Sequence, residues 1–525
     1  MVSVKRLVCF LLALLMMSGV LLMTASAEEE ERGEAVNISG TGRIVRYTFI
    51  SETPQLFDGN GVAPVGLGEN ASITLNYGGG IGSMYFVFNE PYGVYSVTDL
   101  DTGKTAQFGQ NAFLHEFADL EEAFGKAPIN ILVSFDSGVG QLNELFLFSP
   151  GTPPDWVQRW EQPKEGETDL VLFSTHGDDE QLFFAGMLPY YGKELGYEVQ
   201  VVYLTDHTNV TLRRRHEMLN GLWAVGVDNY PVFGTYSDRY SEDRETASLF
   251  FSYEGVTEEE ILGFIVENIR RFRPMVAVGH DLEGEYGHGQ HMVYADLLTK
   301  AIEITADPDQ YPESAEQYGT WDVPKTYLHL YPENPIVMDW DQPLESFGGM
   351  TAFRVTKELG FACHVSQYYD FAWYISGAYK ATDISQFSPC EYGLYRSTVG
   401  PDVAKNDLFE NVKSHVQTQA DAEAARLAAE EEAKRLEEER LAAEEAARQE
   451  AQRLEEERLA REAKELAEEE ARLQLQQEAA RQEELRHQKL TRLALAGAVA
   501  LLLLLGVVWA IVGRKNNFEK FEKKT

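Results

Sequence analysis

The sequence predicts a multidomain chain with an N-terminal β-sandwich, a central α/β domain built on a Rossmann-like, doubly wound parallel sheet, a long charged helix and one transmembrane helix. Three observations support this fold class. Short alternating strands up to residue 149 give way to apolar runs that alternate with helical patterns. Residues 414–488 contain no Gly or Pro. Residues 493–513 then form an apolar run without a charge.

The composition limits the classes of partner and the redox chemistry. The chain has 525 residues, enough for two or three domains, and a formal net charge of −39. Nucleic-acid binding needs a basic patch, so we expect no nucleic-acid partner. Cys9 lies in the N-terminal apolar segment, which leaves Cys363 and Cys390 for the mature chain. These two form a disulfide if their Cα atoms lie within about 7 Å, or remain two unpaired buried thiols.

The first 27 residues have the pattern of a secretory signal peptide. Lys5 and Arg6 precede an apolar run over residues 7–22, and Ala25-Ser-Ala27 fits a small-residue cleavage site. The alternative interpretation is a retained membrane anchor. A signal peptide predicts that the following domains lie outside the cytoplasm.

Residues 36–149 predict a β-sandwich. Segments 43–50, 72–77, 83–88, 129–134 and 142–148 alternate apolar with polar residues, and Gly-rich turns separate them. Tyr77, Tyr92 and Tyr95 could present stacking faces for a glycan. Aromatic residues of a small sandwich are also typical core residues, so carbohydrate binding by this domain stays one of two alternatives.

Residues 150–412 predict the α/β domain, after a Pro-rich linker at residues 149–155. The predicted strands are 170–173, 199–204, 231–233 and 275–278, and the predicted helices are 181–195, 212–225, 258–272 and 292–304. No Gly-rich dinucleotide fingerprint follows the first strand, which argues against a nicotinamide cofactor. The aromatic-rich segment 327–412 is expected to complete the domain.

Two clusters of metal-ligating side chains follow apolar strands of this domain. His176 and Asp179 stand one helical turn apart after the first strand, and His291 belongs to the polar cluster that follows residues 275–279. The clusters can meet only if the two strands are neighbours in one sheet, where ligands bind at the carboxyl ends. Two imidazoles and one carboxylate leave an open position, as in catalytic zinc sites. Asp178 could then take a proton from water that attacks a carbonyl, and His288 could assist the tetrahedral intermediate.

These motifs resemble those of the PIG-L/LmbE-like zinc N-deacetylases. The resemblance rests on Thr175-His-Gly-Asp-Asp-Glu180 and Gly284-Glu-Tyr-Gly-His-x-x-His291, and it covers roughly residues 167–375. Members of that family remove acetyl groups from N-acetylglucosaminyl groups on phosphatidylinositol, thiol-cofactor precursors such as mycothiol, or chito-oligosaccharides. The resemblance implies one zinc ion held by His176, Asp179 and His291, Asp178 as general base, His288 as the assisting residue, and substrate contacts from Tyr286, Arg214 and Asp238.

Two residues depart from the pattern of that family. Gly177 stands where the family usually has Pro, which keeps the turn possible but makes it less rigid. Gln290 stands where some members have an acidic residue, and an amide cannot raise the pKa of the neighbouring His288 as a carboxylate would. His207 and His216 have no comparable neighbours, and we predict no functional role for either.

Residues 414–488 predict a charged helical stalk. The octet Arg-Leu-Glu-Glu-Glu-Arg-Leu-Ala occurs at 435–442 and again at 453–460, an offset of five helical turns that is not a multiple of seven. A lone helix or a weak coiled coil, which could support a homodimer, fits this spacing. Residues 493–513 predict a single membrane span, and Arg514 and Lys515 begin a basic tail, residues 514–525, that is expected to be cytoplasmic.

Together these patterns predict a single-pass cell-membrane protein whose extracellular part removes the acetyl group from an N-acetylglucosamine-type sugar or glycan with a divalent metal, most simply zinc. Two alternatives stay open at this point. One is an amidase that cleaves a different N-acyl group with the same site. The other is a non-catalytic surface protein that binds glycans.

Overall fold

The computed structural model describes residues 33–40, 43–50, 54–59, 61, 63–207 and 213–518. The predicted signal peptide, residues 1–27, lies outside these residues. Within them the chain divides into one compact unit that extends to Asp421 and a second unit that begins at Ala422.

The N-terminal region contains an antiparallel sheet. Its strands are β1 (Arg43–Ile50), β2 (Val65–Asn76), β3 (Ser83–Phe88), β4 (Tyr95–Asp99), β5 (Thr105–Phe108), β6 (His115–Asp119), β7 (Asn130–Phe135) and β8 (Gly140–Phe148), with the short helix α1 (Leu120–Phe124) after β6. The long strand β2 pairs with β7 through residues 72–76 and with β8 through residues 65–67. The eight strands therefore hydrogen-bond as one sheet, in the order β5-β4-β7-β2-β8-β3-β6 with β1 on β2. The two-sheet sandwich stays a prediction.

Aromatic side chains fill the core of this region. The rings of Phe86 and Tyr95 lie on strands that are not neighbours in the sheet, yet their centroids are 4.6 Å apart. Tyr92 stacks on Phe88 at 5.3 Å. Tyr92 and Tyr95 are 8% and 0% exposed, so the prediction that they present faces to a glycan is wrong for these two residues. Of the three tyrosines considered for glycan stacking, Tyr77 is half-buried and the other two are buried.

The second sheet has seven strands in the order β11-β10-β9-β12-β13-β15-β14. Its strands are β9 (Leu170–Ser174), β10 (Val199–Thr205), β11 (Val232–Tyr236), β12 (Val276–Gly279), β13 (Lys325–His329), β14 (Pro335–Val337) and β15 (Glu391–Ser397). Strands β9 to β13 are parallel, and β15 pairs antiparallel with both β13 and β14. Numbered within the sheet, the parallel strands follow the order 3-2-1-4-5, so the chain reverses its winding between β9 and β12.

Helices cover both faces of this sheet. They are α2 (Asp179–Leu182), α3 (Arg213–Ala224), α4 (Arg244–Tyr253), α5 (Glu258–Phe272), α6 (Gly289–Ile304), α7 (Pro312–Tyr318), α8 (Ala352–Val355) and α9 (Ala372–Ile375). Leu170 and Leu172 of β9 belong to one apolar cluster with α3, whereas Val171 and Phe173 belong to a second cluster with α5 and α6. Because both faces are covered, β9, β10, β12 and β13 are buried at every position.

The helix predicted over residues 181–195 is interrupted. Helix α2 ends at Leu182, and a separate π-helical turn spans Pro189–Glu194. Gly186 lies between them with φ +92°, a left-handed conformation that breaks a right-handed helix. A Cβ atom at this position would lie 2.5 Å from the Trp340 ring. The continuous-helix prediction is therefore wrong, because a distant tryptophan occupies the space that a regular helix with side chains would need.

The N-terminal region packs directly against the α/β region. The rings of Phe113 and Tyr230 stack at 4.3 Å, and His115 Nε2 lies 2.8 Å from His216 Nδ1 on α3. Phe113 also belongs to the apolar cluster beneath the parallel sheet. The linker at residues 149–155 thus joins two regions that share core contacts. Cys363 and Cys390 are both free thiols.

The helix α10 (His415–Phe518) continues through the charged stalk into the apolar segment. Its first turn belongs to the compact unit, where His415 N–H donates to Asp169 Oδ1 at 2.5 Å. By length and composition, α10 is the one helix among the described residues that could cross a membrane. A homodimer through residues 414–488 stays a prediction.

Candidate metal centre

The two polar clusters meet at the carboxyl edge of the parallel sheet. Strands β9 and β12 are hydrogen-bonded neighbours, with Leu170 opposite Val276 and Leu172 opposite Val278. The cluster at residues 176–180 follows β9, and the cluster at residues 280–291 follows β12. The winding reverses between these two strands, which is where open α/β sheets bind ligands. Strands β9 and β12 are therefore neighbours, as the sequence analysis required.

Three predicted ligand atoms form a small triangle at this edge. His176 Nδ1 lies 3.0 Å from His291 Nε2 and 3.2 Å from Asp179 Oδ2, and His291 Nε2 lies 3.2 Å from the same carboxylate oxygen. A tetrahedral zinc ion with bonds of about 2.0–2.1 Å would hold such atoms roughly 3.3–3.4 Å apart. The side chains therefore fit one divalent ion with almost no rearrangement. All three residues are at least 96% buried.

Hydrogen bonds present the correct nitrogen of each imidazole to this triangle. His291 Nδ1 donates to Glu285 Oε2 at 2.6 Å, which leaves the Nε2 lone pair free for an ion. His176 Nε2 donates to Gln290 Oε1 at 3.0 Å, which leaves Nδ1 free. An oxygen acceptor behind each ring is the usual way in which proteins set the tautomer of a metal-ligating histidine. The Gln290 side chain thus contacts His176, and only its backbone N–H contacts His288.

Two other histidines offer nitrogens near the triangle. His280 and His288 each form a candidate ligand group with His291. Thr175 N–H donates to His280 Nε2 at 2.9 Å, while His280 Nδ1 faces Glu285 Oε2 at 2.8 Å. Both ring nitrogens of His280 are therefore engaged by other groups, and His176, Asp179 and His291 stay the predicted ligand set.

Asp178 lies beside the triangle and is held by a guanidinium. Arg214 Nη2 donates to Asp178 Oδ1 at 3.1 Å, and Arg214 Nη1 donates to Asp238 Oδ2 at 2.9 Å. Asp178 Oδ2 is buried and has no hydrogen-bond partner among the described residues. Burial raises the pKa of Asp178 to about 6, although Arg214 acts in the opposite direction. One carboxylate oxygen is thus available to a ligand while the other is fixed.

A cavity of about 380 Å³ opens above these side chains. Six predicted residues line it, namely His176, Asp178, Arg214, Asp238, Tyr286 and His288. His288 Nδ1 accepts the Gln290 N–H at 3.2 Å, so its Nε2 carries the proton. Burial lowers the pKa of His288, and the neighbouring His176 and His291 lower it further, which keeps its ring neutral. The structure therefore brings all eight predicted site residues together, six in the cavity wall and Asp179 and His291 in the metal triangle.

Glu285 is the main residue of the site that the sequence analysis missed. Its side chain is fully buried and accepts hydrogen bonds from the Nδ1 atoms of three imidazoles: His280 at 2.8 Å, His291 at 2.6 Å and His329 at 2.7 Å. Burial alone would raise the pKa of Glu285, but the surrounding imidazoles hold it well below its usual range. The residue lies within the quoted motif, yet a carboxylate in a polar loop carries no sequence signal that distinguishes it from a solvated one.

The structure also explains why Gly occupies position 177. A Cβ atom on Gly177 would lie 2.2 Å from Met218 Sδ, and the Gly177 N–H donates to His207 Nε2 at 2.8 Å. Proline could neither fit beside Met218 nor donate this hydrogen bond. His207, for which no role was predicted, thus fixes the turn between the metal ligands. Its contact to a backbone N–H thirty residues away has no signal in the sequence.

The fold and the site define an α/β protein with a centre suited to one divalent ion. The family model for PIG-L, described as GlcNAc-PI de-N-acetylase, matches residues 171–302. These residues include β12, all of β9 except Leu170, and all eight predicted site residues. The chain therefore carries a PIG-L family domain.

Curated relatives agree with this family. A 1D-myo-inositol 2-acetamido-2-deoxy-alpha-D-glucopyranoside deacetylase 1 of Catenulispora acidiphila is 28% identical over 151 residues, which are 28% of this chain and 46% of the relative. A deacetylase of the same description from Streptomyces scabiei is 25% identical over 197 residues, covering 33% and 59% of the two chains. The chain spans about half the length of these relatives.

Among solved structures, the N,N'-diacetylchitobiose deacetylase from Pyrococcus horikoshii, complexed with its inhibitor MPG, is 15% identical and aligns with a TM-score of 0.28. The alignment covers 43% of this chain and 82% of that one.

Proposed function

We propose that this protein is a metal-dependent N-deacetylase that hydrolyses the acetamide of an N-acetylglucosamine-type sugar or glycan. The observation that carries the proposal is the triangle of His176 Nδ1, Asp179 Oδ2 and His291 Nε2 with edges of 3.0–3.2 Å, beside a carboxylate with one free oxygen. The PIG-L match over the same residues and the deacetylase descriptions of the relatives support it.

His176, Asp179 and His291 would hold one divalent ion, and two nitrogens with one carboxylate oxygen suit zinc. When bound, such an ion polarises a carbonyl oxygen and makes a water molecule more acidic. The remaining chemistry belongs to the chain's own residues.

Asp178 is the proposed general base. Arg214 holds Oδ1 in place, and the unpartnered Oδ2 can accept a proton from water as the water attacks the acetyl carbon. His288 carries its only ring proton on Nε2 and can donate a hydrogen bond from it to the developing oxyanion, while the proton that Asp178 takes from water is the one passed on to the leaving nitrogen. Tyr286 lines the same cavity, and its hydroxyl can donate a hydrogen bond to the developing oxyanion. Arg214 and Asp238 form the wall that would meet the sugar hydroxyls.

For the location of the protein we propose a single-pass membrane anchor. Residues 493–513 of α10 would span the bilayer, and the basic residues that begin at Arg514 favour a cytoplasmic tail. With the signal peptide proposed for residues 1–27, the catalytic region would face outward. An extracellular N-acetylated glycan then fits better than a cytosolic thiol precursor.

Acetate release by the full chain in detergent micelles tests the proposed activity. Uncharged N-acetylglucosamine oligosaccharides should yield acetate and free amine in equal amounts, and chelation of divalent ions should abolish the release. Asp178→Asn should lower the rate by about 10²–10⁴-fold, because it removes the general base. The exposed Asp309→Asn is the matched control and should keep the wild-type rate. Release of a longer acyl acid instead of acetate, or a rate that neither chelation nor Asp178→Asn changes, would contradict the proposal.

A further inference from the structure

Three aromatic rings form an open slot at the mouth of the cavity. Tyr240, in the loop after β11, stands parallel to Tyr286 within 8°, with the ring centroids 6.5 Å apart. His288 is perpendicular to both, at 5.1 Å from Tyr240 and 5.6 Å from Tyr286. The two tyrosine rings are thus parallel, and His288, perpendicular to both, is nearer to each of them than they are to one another. A ligand that stacks on the exposed part of the Tyr240 ring would lie at the cavity and next to His288.

Tyr240 is the open wall of this slot. Tyr240 is 56% exposed, although it lines the same cavity as His176. Its hydroxyl has no hydrogen-bond partner among the described residues, and its ring contacts are those with Tyr286 and His288. A large ring left exposed at the mouth of a pocket supplies contact area at low cost in conformational entropy. No packing role in the core accounts for it.

The charges around the slot favour an uncharged ligand. Asp178, Asp238 and Asp370 line the cavity, and Arg214 is the only Arg or Lys among the described residues that line it. Both terminal nitrogens of Arg214 are already bound to carboxylates, Asp178 and Asp238. A phosphate beside Tyr240, away from the proposed ion, would therefore meet carboxylates and, among the described lining residues, no Arg or Lys other than the paired Arg214. Gln367 and Asp370 at the rim instead offer hydrogen-bonding groups of the kind that hydroxyls need.

A pyranose ring combines these requirements. Its faces carry C–H bonds that pack on aromatic rings, and its edge carries hydroxyl groups that donate to carboxylates. We propose that Tyr240 forms the stacking wall of a second sugar subsite, which takes an uncharged pyranose linked to the reacting amino sugar and disfavours an anionic group at that position. The inference rests on the proposed deacetylase function, and it adds a residue and a selectivity that the site motifs do not contain.

The test compares three substrates of the full chain in detergent micelles: the methyl glycoside of N-acetylglucosamine, the uncharged disaccharide of N-acetylglucosamine, and N-acetylglucosamine 1-phosphate. Wild-type kcat/KM should be highest for the disaccharide and lowest for the phosphate. Tyr240→Ala should lower kcat/KM for the disaccharide about tenfold and leave the methyl glycoside within about twofold. Tyr240→Phe should retain most of the disaccharide preference, because the stacking face remains.

Two further variants separate stacking from charge. Asp370→Asn should raise kcat/KM for the phosphate relative to the disaccharide, since it removes one repulsive carboxylate. Tyr253→Ala, an exposed tyrosine at the end of α4 that does not line the cavity, should behave as wild type. An equal loss on all three substrates in Tyr240→Ala, or a wild type that prefers the phosphate, would overturn the subsite.

A binding measurement distinguishes failure of the subsite from failure of the deacetylase function. Disaccharide binding by calorimetry that weakens in Tyr240→Ala but yields no acetate would support the subsite and reject the deacetylase. Acetate release from the methyl glycoside with no effect of Tyr240→Ala on either disaccharide binding or turnover would reject the subsite and leave the deacetylase in place.

Discussion

Glu285 should control how tightly the centre holds its ion. The carboxylate is fully buried and accepts a hydrogen bond from Nδ1 of His291 at 2.6 Å, which leaves Nε2 as the nitrogen that faces His176 and Asp179. In Glu285→Gln, an amide oxygen can still accept from His291, but the charge-assisted hydrogen bond becomes a neutral one. The difference between the two kinds of bond is about 1–1.5 kcal/mol, so the dissociation constant should rise about tenfold.

Glu285→Ala removes the acceptor altogether and should weaken binding up to about a hundredfold, within the range found for partners of metal-ligating histidines. Competition with a chromophoric zinc chelator measures both constants on the full chain in detergent micelles. Glu283→Gln, an exposed residue of the same loop, makes the same change of charge and should stay within about twofold of wild type. Thermal unfolding of the metal-free variants serves as the control for folding. If folded Glu285→Gln and Glu285→Ala both bind zinc as tightly as wild type, the proposed role of Glu285 is refuted.

Two further predictions concern the surroundings of the site. Gly177→Ala should lower the free energy of unfolding by about 1–3 kcal/mol, because its Cβ would lie 2.2 Å from Met218 Sδ. In a Met218→Ala background, the same substitution should cost much less. Denaturant unfolding measures both costs, and an equal cost in the two backgrounds would contradict this explanation. Burial lowers the pKa of His216 to about 4 from 6.5, so its protonation favours the unfolded state as the pH falls from about 6.5 toward 4, by up to roughly 3 kcal/mol. As the pH falls from 7.5 to 4.5, the thermal midpoint of wild type should therefore fall toward the midpoint of His216→Gln. If the difference between the two midpoints stayed constant with pH, the buried contact of a neutral His216 with His115 would be contradicted.

The meeting of the two polar clusters was predictable because each follows a recognisable strand, whereas the ligand roles of their residues stay predictions. The apolar runs at β9 and β12 place His176, Asp179 and His291 at strand ends that meet when the strands are neighbours. The residues that orient these ligands were not predictable in the same way. His329 reaches Glu285 from a strand 44 residues further along the chain, and only the folded sheet brings the two together.

The same limit explains the errors in the fold. The pattern over residues 181–195 is compatible with a helix, but the interruption at Gly186 depends on Trp340, which no local window contains. The sequence does not distinguish whether Tyr92 and Tyr95 belong to the core or to a binding surface. Both are buried in the folded sheet, which places them in the core.

The metal content of the full chain tests the central claim most directly, namely that two segments more than a hundred residues apart build one ion site. After loading with zinc in detergent micelles and removal of free ion, elemental analysis of wild type should find one zinc per chain. X-ray absorption should then show nitrogen and oxygen ligands at about 2.0–2.1 Å. The double variant Asp179→Asn, His291→Gln should retain no zinc while it keeps the wild-type circular dichroism. A folded double variant that still holds one ion, or a wild type that holds none, would contradict the account.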